Sequence, residues 1–191
     1  MSWAEALEKY GYKREIAGDE DFNAGVNALE TLAEHYRLLD EAKERGALLV
    51  PRRKGIIAAG SYGVGKTCFM DAVSKMFRKY PLYRIDLSLP DEVRKLSGDW
   101  MEYYACNLYT KHVYLDDLGA ELSGNDYGVR FEAVTQFISA YHVRSKGSLF
   151  ITTNLTGEEI DERYNGRILS RLKELCIPLH FKGKDKRRWL V

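Results

Sequence analysis

The fold of this chain is decided by one stretch, Gly60-Ser61-Tyr62-Gly63-Val64-Gly65-Lys66-Thr67. It satisfies the full pattern of a phosphate-binding P-loop, in which glycines let backbone N–H groups surround a phosphate and a lysine contacts the β- and γ-phosphates. Small and branched apolar residues, 56–59, precede it, and a helix-compatible segment follows it. The stretch therefore predicts a strand, a loop and a helix that bind a nucleoside triphosphate.

The predicted nucleotide-binding set runs from Gly60 to Cys68. Within it, the Thr67 hydroxyl is placed to bind Mg²⁺, which bridges the phosphates and offsets their charge. The P-loop alone does not distinguish a small-molecule kinase, a GTPase and a mechanical ATPase. A second motif has to separate these classes.

That second motif is Val113-Tyr114-Leu115-Asp116-Asp117, an apolar run that ends in two carboxylates. Such a run is typical of a buried strand that delivers acids to the carboxyl edge of a parallel sheet, although adjacent acids are also common in turns. We assign Asp116 to the magnesium shell and Asp117 to orienting the attacking water. This pair favours hydrolysis over transfer to an alcohol.

Two further features accompany these motifs. Asn154 follows the next predicted strand and is placed to orient water, although an Asn at a strand end is ordinarily a turn former. Arg163, Arg167 and Arg171 recur every fourth residue and form one stripe of a helix. The stripe is either a solvated face or the source of an arginine finger for a neighbouring subunit.

Alternating short apolar and longer amphipathic segments predict a three-layer α/β domain with a five-stranded, mostly parallel sheet. The predicted strands cover 55–59, 83–87, 112–116, 148–152 and 176–181, and the predicted helices cover 65–78, 91–108, 127–144 and 157–172. Residues 1–48 have helical periodicity. We divide the chain into a short N-terminal extension, 1–20, and an ATPase domain, 21–191.

Composition excludes little by itself. The chain has 29 Lys and Arg against 28 Asp and Glu, so any basic surface must be local. Lys182 to Arg188 is the dense basic run, and Lys111 and Arg144 are further candidate contacts for DNA. No apolar run approaches the roughly 20 residues of a membrane span. The three cysteines suggest reduced, buried thiols, and we expect a soluble, cytoplasmic protein.

Taken together, these residues resemble the AAA+ ATPases of the DnaC-type helicase loaders, and next the IstB-type transposition ATPases. The resemblance covers about residues 20–191. Its specific points are Gly60 to Thr67, Leu115-Asp116-Asp117-Leu118-Gly119-Ala120-Glu121, Thr152-Thr153-Asn154-Leu155, Arg163-Tyr164, Arg167-Ile168-Leu169-Ser170-Arg171-Leu172 and Phe181-Lys182-Gly183-Lys184-Asp185-Lys186-Arg187.

The resemblance implies roles for individual residues. Asn154 corresponds to sensor 1, Arg171 is the first choice of arginine finger with Arg167 beside it, and Arg187 is a sensor-2-like nucleotide contact. It also implies an AAA+ fold without a full helical lid, and self-association through the ATP site. Such an ATPase depends on Mg²⁺ and is activated by assembly and by single-stranded DNA.

The function implied is a DNA-replication initiation factor that loads or remodels a replicative helicase. An IstB-like regulator of transposition is the nearest alternative, because the core motifs do not separate the two. A small-molecule P-loop kinase is a third alternative, although no lid insertion that would close over two substrates is evident.

Overall fold

The computed structural model describes residues 1–47, 52–77, 81–96, 108–122 and 127–186. The strands are β1 Gly55–Ala59, β2 Leu82–Asp86, β3 His112–Leu118, β4 Leu149–Thr153 and β5 Cys176–His180. The α-helices are α1 Trp3–Lys9, α2 Arg14–Ala17, α3 Asp19–Glu44, α4 Lys66–Met76, α5 Pro90–Arg94, α6 Tyr127–Arg144 and α7 Gly157–Leu175. A short 3₁₀ turn at Ala120–Leu122 follows β3.

The strands form one parallel sheet in the order β2-β3-β4-β1-β5. Helices cover both faces, because strands buried on both sides need apolar partners above and below. One core contains side chains of α1, α3 and α4, and the other contains side chains of α5, α6 and α7. This arrangement confirms the predicted three-layer α/β fold, and the predicted "mostly parallel" sheet is parallel throughout.

The strand order positions the site. Although β1 and β3 carry the P-loop and the two carboxylates, β4 lies between them and pairs with both. In a parallel sheet all carboxyl ends meet at one edge, where ligands bind. The end of β4, with Asn154, is therefore placed between Lys66 and the acidic pair.

The N-terminal helices pack on the layer that contains the P-loop helix. The predicted apolar face of α3 is confirmed, since Phe22, Leu29 and Leu32 are buried. Tyr12, between α1 and α2, stacks on Phe22 with ring centroids 5.9 Å apart and meets Phe69 of α4 edge-on at 5.3 Å. The segment before α3 is thus part of the core around the P-loop.

The predicted boundaries differ from the structure mainly at one helix. The helix predicted over 91–108 starts at Pro90, which is favourable in a first turn, but ends at Arg94 and is followed by a turn. Residues 97–107 of that prediction lie outside the described residues. Strand β3 extends two residues beyond its predicted end at Asp116. No helix within the described ranges is long and apolar enough to cross a membrane.

The segment after β5 is held against the P-loop by a buried carboxylate on α3. Asp21, 2% exposed, accepts hydrogen bonds from the backbone N–H groups of Lys182 at 2.8 Å and Gly183 at 3.1 Å. The Lys186 ammonium lies 3.5 Å from Asp21 and donates to the Val64 carbonyl at 3.0 Å. One carboxylate therefore joins α3, the P-loop and the basic segment.

We expect Asp21→Ala to lower the free energy of unfolding by about 3 kcal/mol, because it leaves two backbone N–H groups without their acceptor and the half-buried Lys186 ammonium without its counter-charge. Asp19→Ala is the matched control, since Asp19 also lies in the first turn of α3 but is exposed and forms a surface ion pair with Arg14. Its expected effect is below about 0.5 kcal/mol. Urea denaturation measures both, and equal losses would contradict the role assigned to Asp21.

Candidate active site

The P-loop has the backbone conformation that its glycines predict. Strand β1 ends at Ala59, and α4 begins at Lys66 after Gly65, which has a φ of +102°. Gly63 has a φ of +74°, and a Cβ there would lie 1.7 Å from a carboxylate oxygen of Asp185. Both positions require glycine, since other residues adopt positive φ at a cost. The loop therefore presents its N–H groups at the start of a helix, where anions bind.

The Lys66 side chain is buried, and its ammonium is hydrogen-bonded to three oxygen atoms. Its ammonium donates to the carbonyls of Gly60 and Ser61, both at 2.8 Å, and to Oδ1 of Asn154 at 2.7 Å. An ammonium has three N–H donors, so these contacts use all of them. The structure thus brings together two predicted site residues, Lys66 and Asn154, that are 88 positions apart.

Asp116 lies in a buried hydrogen-bond network. It is 3% exposed, and its Oδ1 accepts from the Tyr114 hydroxyl at 2.5 Å and from the Thr152 hydroxyl. Its Oδ2 pairs with the guanidinium of Arg84 on β2. Burial first, and then the charge of Asp116, raise the pKa of Tyr114 above its usual range. The network orients the Asp116 carboxylate, and three of its members were not predicted from the sequence.

Asp117 is directed away from that network and lines a cleft at the carboxyl edge of the sheet. It is the non-glycine residue with positive φ, +59°, in the described chain, a conformation that Asp tolerates better than most residues. Its backbone N–H donates to the Thr152 hydroxyl at 2.9 Å. Thr152 therefore contacts both predicted carboxylate residues and fixes their opposite directions.

These residues enclose a cleft of about 290 Å³ at the carboxyl edge of the sheet. Its lining residues are Tyr62, Gly63, Gly65, Lys66, Thr67, Cys68, Asp117 and Asn154. A larger groove of about 540 Å³ lies beside β5 and α7, but its lining is mainly apolar, with Ile57, Leu172 and Ile177 among its residues. The smaller cleft has the N–H groups and the cation that phosphates require, and the larger groove does not offer them.

The donor set of the cleft fits a hard cation such as Mg²⁺. The Thr67 hydroxyl, the Asp117 carboxylate and the Asn154 amide all face it, and Mg²⁺ is ordinarily held by one or two carboxylates, waters and substrate phosphates. Asp116 lies behind this surface, with its oxygens occupied by three donors. Among the described residues, no cluster of three or more His, Cys, Asp or Glu side chains forms a protein-only metal site.

The arginine stripe lies on α7, outside the lining of the cleft. Arg163 and Arg167 are exposed, whereas Arg171 is half-buried and donates to the Ser139 hydroxyl on α6. Arg187 lies outside the described residues. Among the described residues, none of the predicted arginines lines this chain's own cleft.

The prediction of buried cysteines is half correct for the two that the structure describes. Cys176 is buried, but Cys68 is exposed, because it lies on the side of α4 that faces the cleft rather than the sheet. Partial burial and the nearby Asp71 raise the pKa of the Cys68 thiol. Cys68, the last residue of the predicted nucleotide-binding set, therefore lines the cleft. Its thiol is a weak nucleophile, because little of it is ionised.

Glu121 is a residue whose role sequence reasoning missed. It is fully buried just after β3, and it accepts hydrogen bonds from the Gly119 N–H at 2.8 Å and from the Tyr164 hydroxyl on α7. Burial raises its pKa from 4.5 to about 7. Glu121 therefore links the loop after Asp117 to the helix that carries the arginine stripe. The sequence feature that could have revealed this role is an acidic residue four positions after Asp117, the second carboxylate at the end of the predicted strand.

The five-stranded parallel sheet and the loop between β1 and α4 give the chain the fold of P-loop proteins of the AAA+ type. Among solved structures, DnaI shares this fold at 21% identity and a TM-score of 0.54, over 80% of this chain and 84% of that one. The DnaC helicase loader shares it at 23% identity and a TM-score of 0.55, over 68% and 78% of the two chains. The predicted likeness to helicase loaders is thus confirmed at the level of fold.

A structure titled DNA replication initiation factor is also similar, at 21% identity and a TM-score of 0.52, over 81% of this chain and 47% of its own. No protein-family profile matches the sequence, and no curated protein matches it. At these identities the similarity establishes the fold, and the chemistry has to be argued from the cleft.

We expect Glu121→Gln to change how stability depends on pH. Because the folded pKa of about 7 lies above the ordinary 4.5, ionisation opposes folding, and the wild-type protein should lose about 3 kcal/mol of stability as pH rises through this window. The glutamine variant should lack this loss. Urea midpoints from pH 4 to 8 test this, with the exposed Glu158→Gln as control. An identical pH slope in Glu121→Gln and wild type would disprove it.

Proposed function

We propose that this chain is a cytoplasmic, Mg²⁺-dependent ATPase that loads or remodels a replicative helicase on DNA. The observation that carries the ATPase assignment is the meeting of Lys66, Thr67, Asp117 and Asn154 in one cleft at the carboxyl edge of the sheet. The shared fold of DnaI and the DnaC helicase loader supports the choice of helicase loading over other uses of ATP.

Nucleotide binding would begin with an exchange of partners at Lys66. The β- and γ-phosphates accept N–H groups of the P-loop, and the ammonium moves from the Gly60 and Ser61 carbonyls to the phosphate oxygens. That move also ends its bond to Asn154. The Asn154 amide then becomes free to contact the γ-phosphate or the attacking water.

Hydrolysis would use Asp117 as the group that orients water and accepts its proton. Asp117 faces the cleft, whereas Asp116 is held behind it by Tyr114, Thr152 and Arg84. When bound with ATP, Mg²⁺ supplies charge neutralisation on the β- and γ-phosphates, and Thr67 is its candidate protein ligand. Asp116 would act on the waters around the cation, with Arg84 setting its direction.

The arginine that completes the site would come from a neighbouring subunit. Arg167 is exposed on α7, whereas Arg171 is half-buried where α7 packs on α6, so the Arg167 side chain is the more accessible to another chain. We therefore propose Arg167 as the first candidate and Arg171 as the second. In either case the isolated chain would turn over slowly, and self-association through the ATP site would activate it.

Single substitutions should affect ATP binding and ATP hydrolysis separately. Lys66→Ala should weaken binding of a fluorescent ATP analogue by roughly tenfold or more, because it removes charge-assisted hydrogen bonds. Asp117→Asn should bind the analogue normally but lower ATP turnover by about 100-fold or more. Asp91→Asn, at an exposed position on α5, is the control. Normal turnover in Asp117→Asn would remove Asp117 from the mechanism.

The arginine assignment is tested by mixing variants. Arg167→Ala should bind ATP normally and lose about 1,000-fold in turnover, and adding Lys66→Ala subunits should restore part of the activity by supplying the intact arginine. Arg171→Ala is tested in parallel, with the exposed Arg45→Ala, just after the end of α3, as the control. Full activity in both Arg167→Ala and Arg171→Ala, or no recovery on mixing, would overturn the trans finger.

The partner is tested by capture of the tagged protein from its native host with ATP present, with Lys66→Ala as the matched bait. ATP-dependent recovery of a replicative helicase by the wild-type bait alone is the expected result. Recovery of a transposase instead would replace helicase loading with the IstB-like alternative. Equal recovery by both baits would show that the association does not depend on ATP.

A further inference from the structure

The segment that follows β5 runs alongside the P-loop. We call this segment, residues 181–186, the strap. A Cβ at Gly60 would lie 2.6 Å from the Phe181 carbonyl oxygen, and the Lys186 N–H donates to the Gly63 carbonyl at 3.0 Å. No strap residue is among the described residues that line the nucleotide cleft. The strap therefore contacts the P-loop from outside the cleft.

Lys186 donates hydrogen bonds to two consecutive P-loop carbonyls. Its backbone N–H donates to Gly63, and its ammonium donates to the Val64 carbonyl at 3.0 Å. The peptide bonds of this loop are trans, and in a trans peptide the C=O of one residue and the N–H of the next point in opposite directions. Because both carbonyls are directed outward at Lys186, the N–H groups of Val64 and Gly65 are directed the other way, toward the side of the cleft.

These two N–H groups belong to the part of the loop that phosphates use. Val64 and Gly65 immediately precede α4, where the N–H groups of a P-loop surround the α- and β-phosphates. Glycines occupy three of the six positions 60–65, so a loop without outside contacts would have many conformations to lose when a phosphate binds. Contacts that fix the loop beforehand lower that cost.

Lys186 is itself held in place by the N-terminal helices. Its ammonium donates to the Ala17 carbonyl at the end of α2 and lies 3.5 Å from the buried Asp21 carboxylate of α3. Asp21 also accepts from the backbone N–H groups of Lys182 and Gly183 in the strap. With the Val64 carbonyl, the ammonium has three oxygen partners, which is the number of its N–H donors. Its charge is therefore used on the outside of the P-loop and not on a nucleotide.

We propose that Lys186 is a positioning residue of the nucleotide site, which holds the N–H groups of Val64 and Gly65 toward the phosphates and is itself held by Asp21. The inference rests on the proposed function only in taking the P-loop as the site of a nucleoside polyphosphate. Hydrolysis and helicase loading are not needed for it. Since ATP and ADP share the α- and β-phosphates, the binding of both depends on Lys186 to the same extent.

The first test is Lys186→Met, which removes the ammonium and keeps the length of the side chain. The Kd of ADP and that of a non-hydrolysable ATP analogue should rise by the same factor, about tenfold, because the loop has to be ordered at the expense of binding. The kcat at saturating ATP should change by less than about twofold, since the loss is common to the ground state and the transition state. Lys75→Met, at an exposed position in the last turn of α4, removes the same charge and is the control.

The second test, Asp21→Asn, separates positioning from charge. Removal of a carboxylate near the P-loop would, by charge alone, strengthen the binding of anionic nucleotides. The amide keeps one oxygen for the Lys182 N–H, but its NH₂ group then faces the Gly183 N–H and the Lys186 ammonium, which are also donors. The strap should loosen, and the Kd of both nucleotides should rise by about threefold or more.

Tighter binding by Asp21→Asn, or an equal Kd in Lys186→Met and Lys75→Met, would overturn the inference and leave the proposed function intact. If the wild-type protein binds both nucleotides without hydrolysing ATP, and both strap variants bind more weakly, the proposed function fails and the inference stands. A wild-type protein that binds neither nucleotide would overturn both. Thermal melts of every variant set a temperature at which all of them are folded during the measurement.

Discussion

The rest of the structure depends on one constraint, the insertion of β4 between the two strands that carry the motifs. Because the sheet is parallel throughout, this insertion brings the end of β4 between the P-loop and the acidic pair. Asn154 can then bond to Lys66, and Thr152 can contact both Asp116 and Asp117. If β1 and β3 were adjacent, the P-loop and the acidic pair would lie side by side, but the contacts of Asn154 and Thr152 could not form.

The sequence was sufficient for the parts of the molecule that local patterns determine. The P-loop, three of the four helices predicted after it and all five strands lie where glycine spacing and apolar periodicity predict them, within about two residues at the strand ends. The helix predicted over 91–108 is the exception, since its described part stops at Arg94. Amphipathic periodicity continues past a turn when both sides of the turn pack on the same core, and so it does not reveal where a helix ends.

What sequence reasoning could not supply is the set of contacts made between elements. Arg84 on β2 belongs to no motif, and Glu121 after β3 is quoted only as the last residue of a stretch that resembles helicase loaders. Each has its role through a partner distant along the chain. The arginine stripe shows the same limit, because spacing alone could not reveal that Arg171 is half-buried, with a hydrogen bond to Ser139, and that Arg167 is exposed. Strand order and side-chain direction determine these contacts.

The hydrogen bonds of Lys66 have a consequence for ligand selection. Its ammonium donates to two carbonyls and one side-chain amide, so an anion has to replace these three hydrogen bonds before it can contact the ammonium directly. A single inorganic phosphate or sulfate offers few contacts in exchange for three. A triphosphate offers many at once, along the whole loop. The three hydrogen bonds of Lys66 therefore favour polyphosphates over the small anions that are abundant in cells.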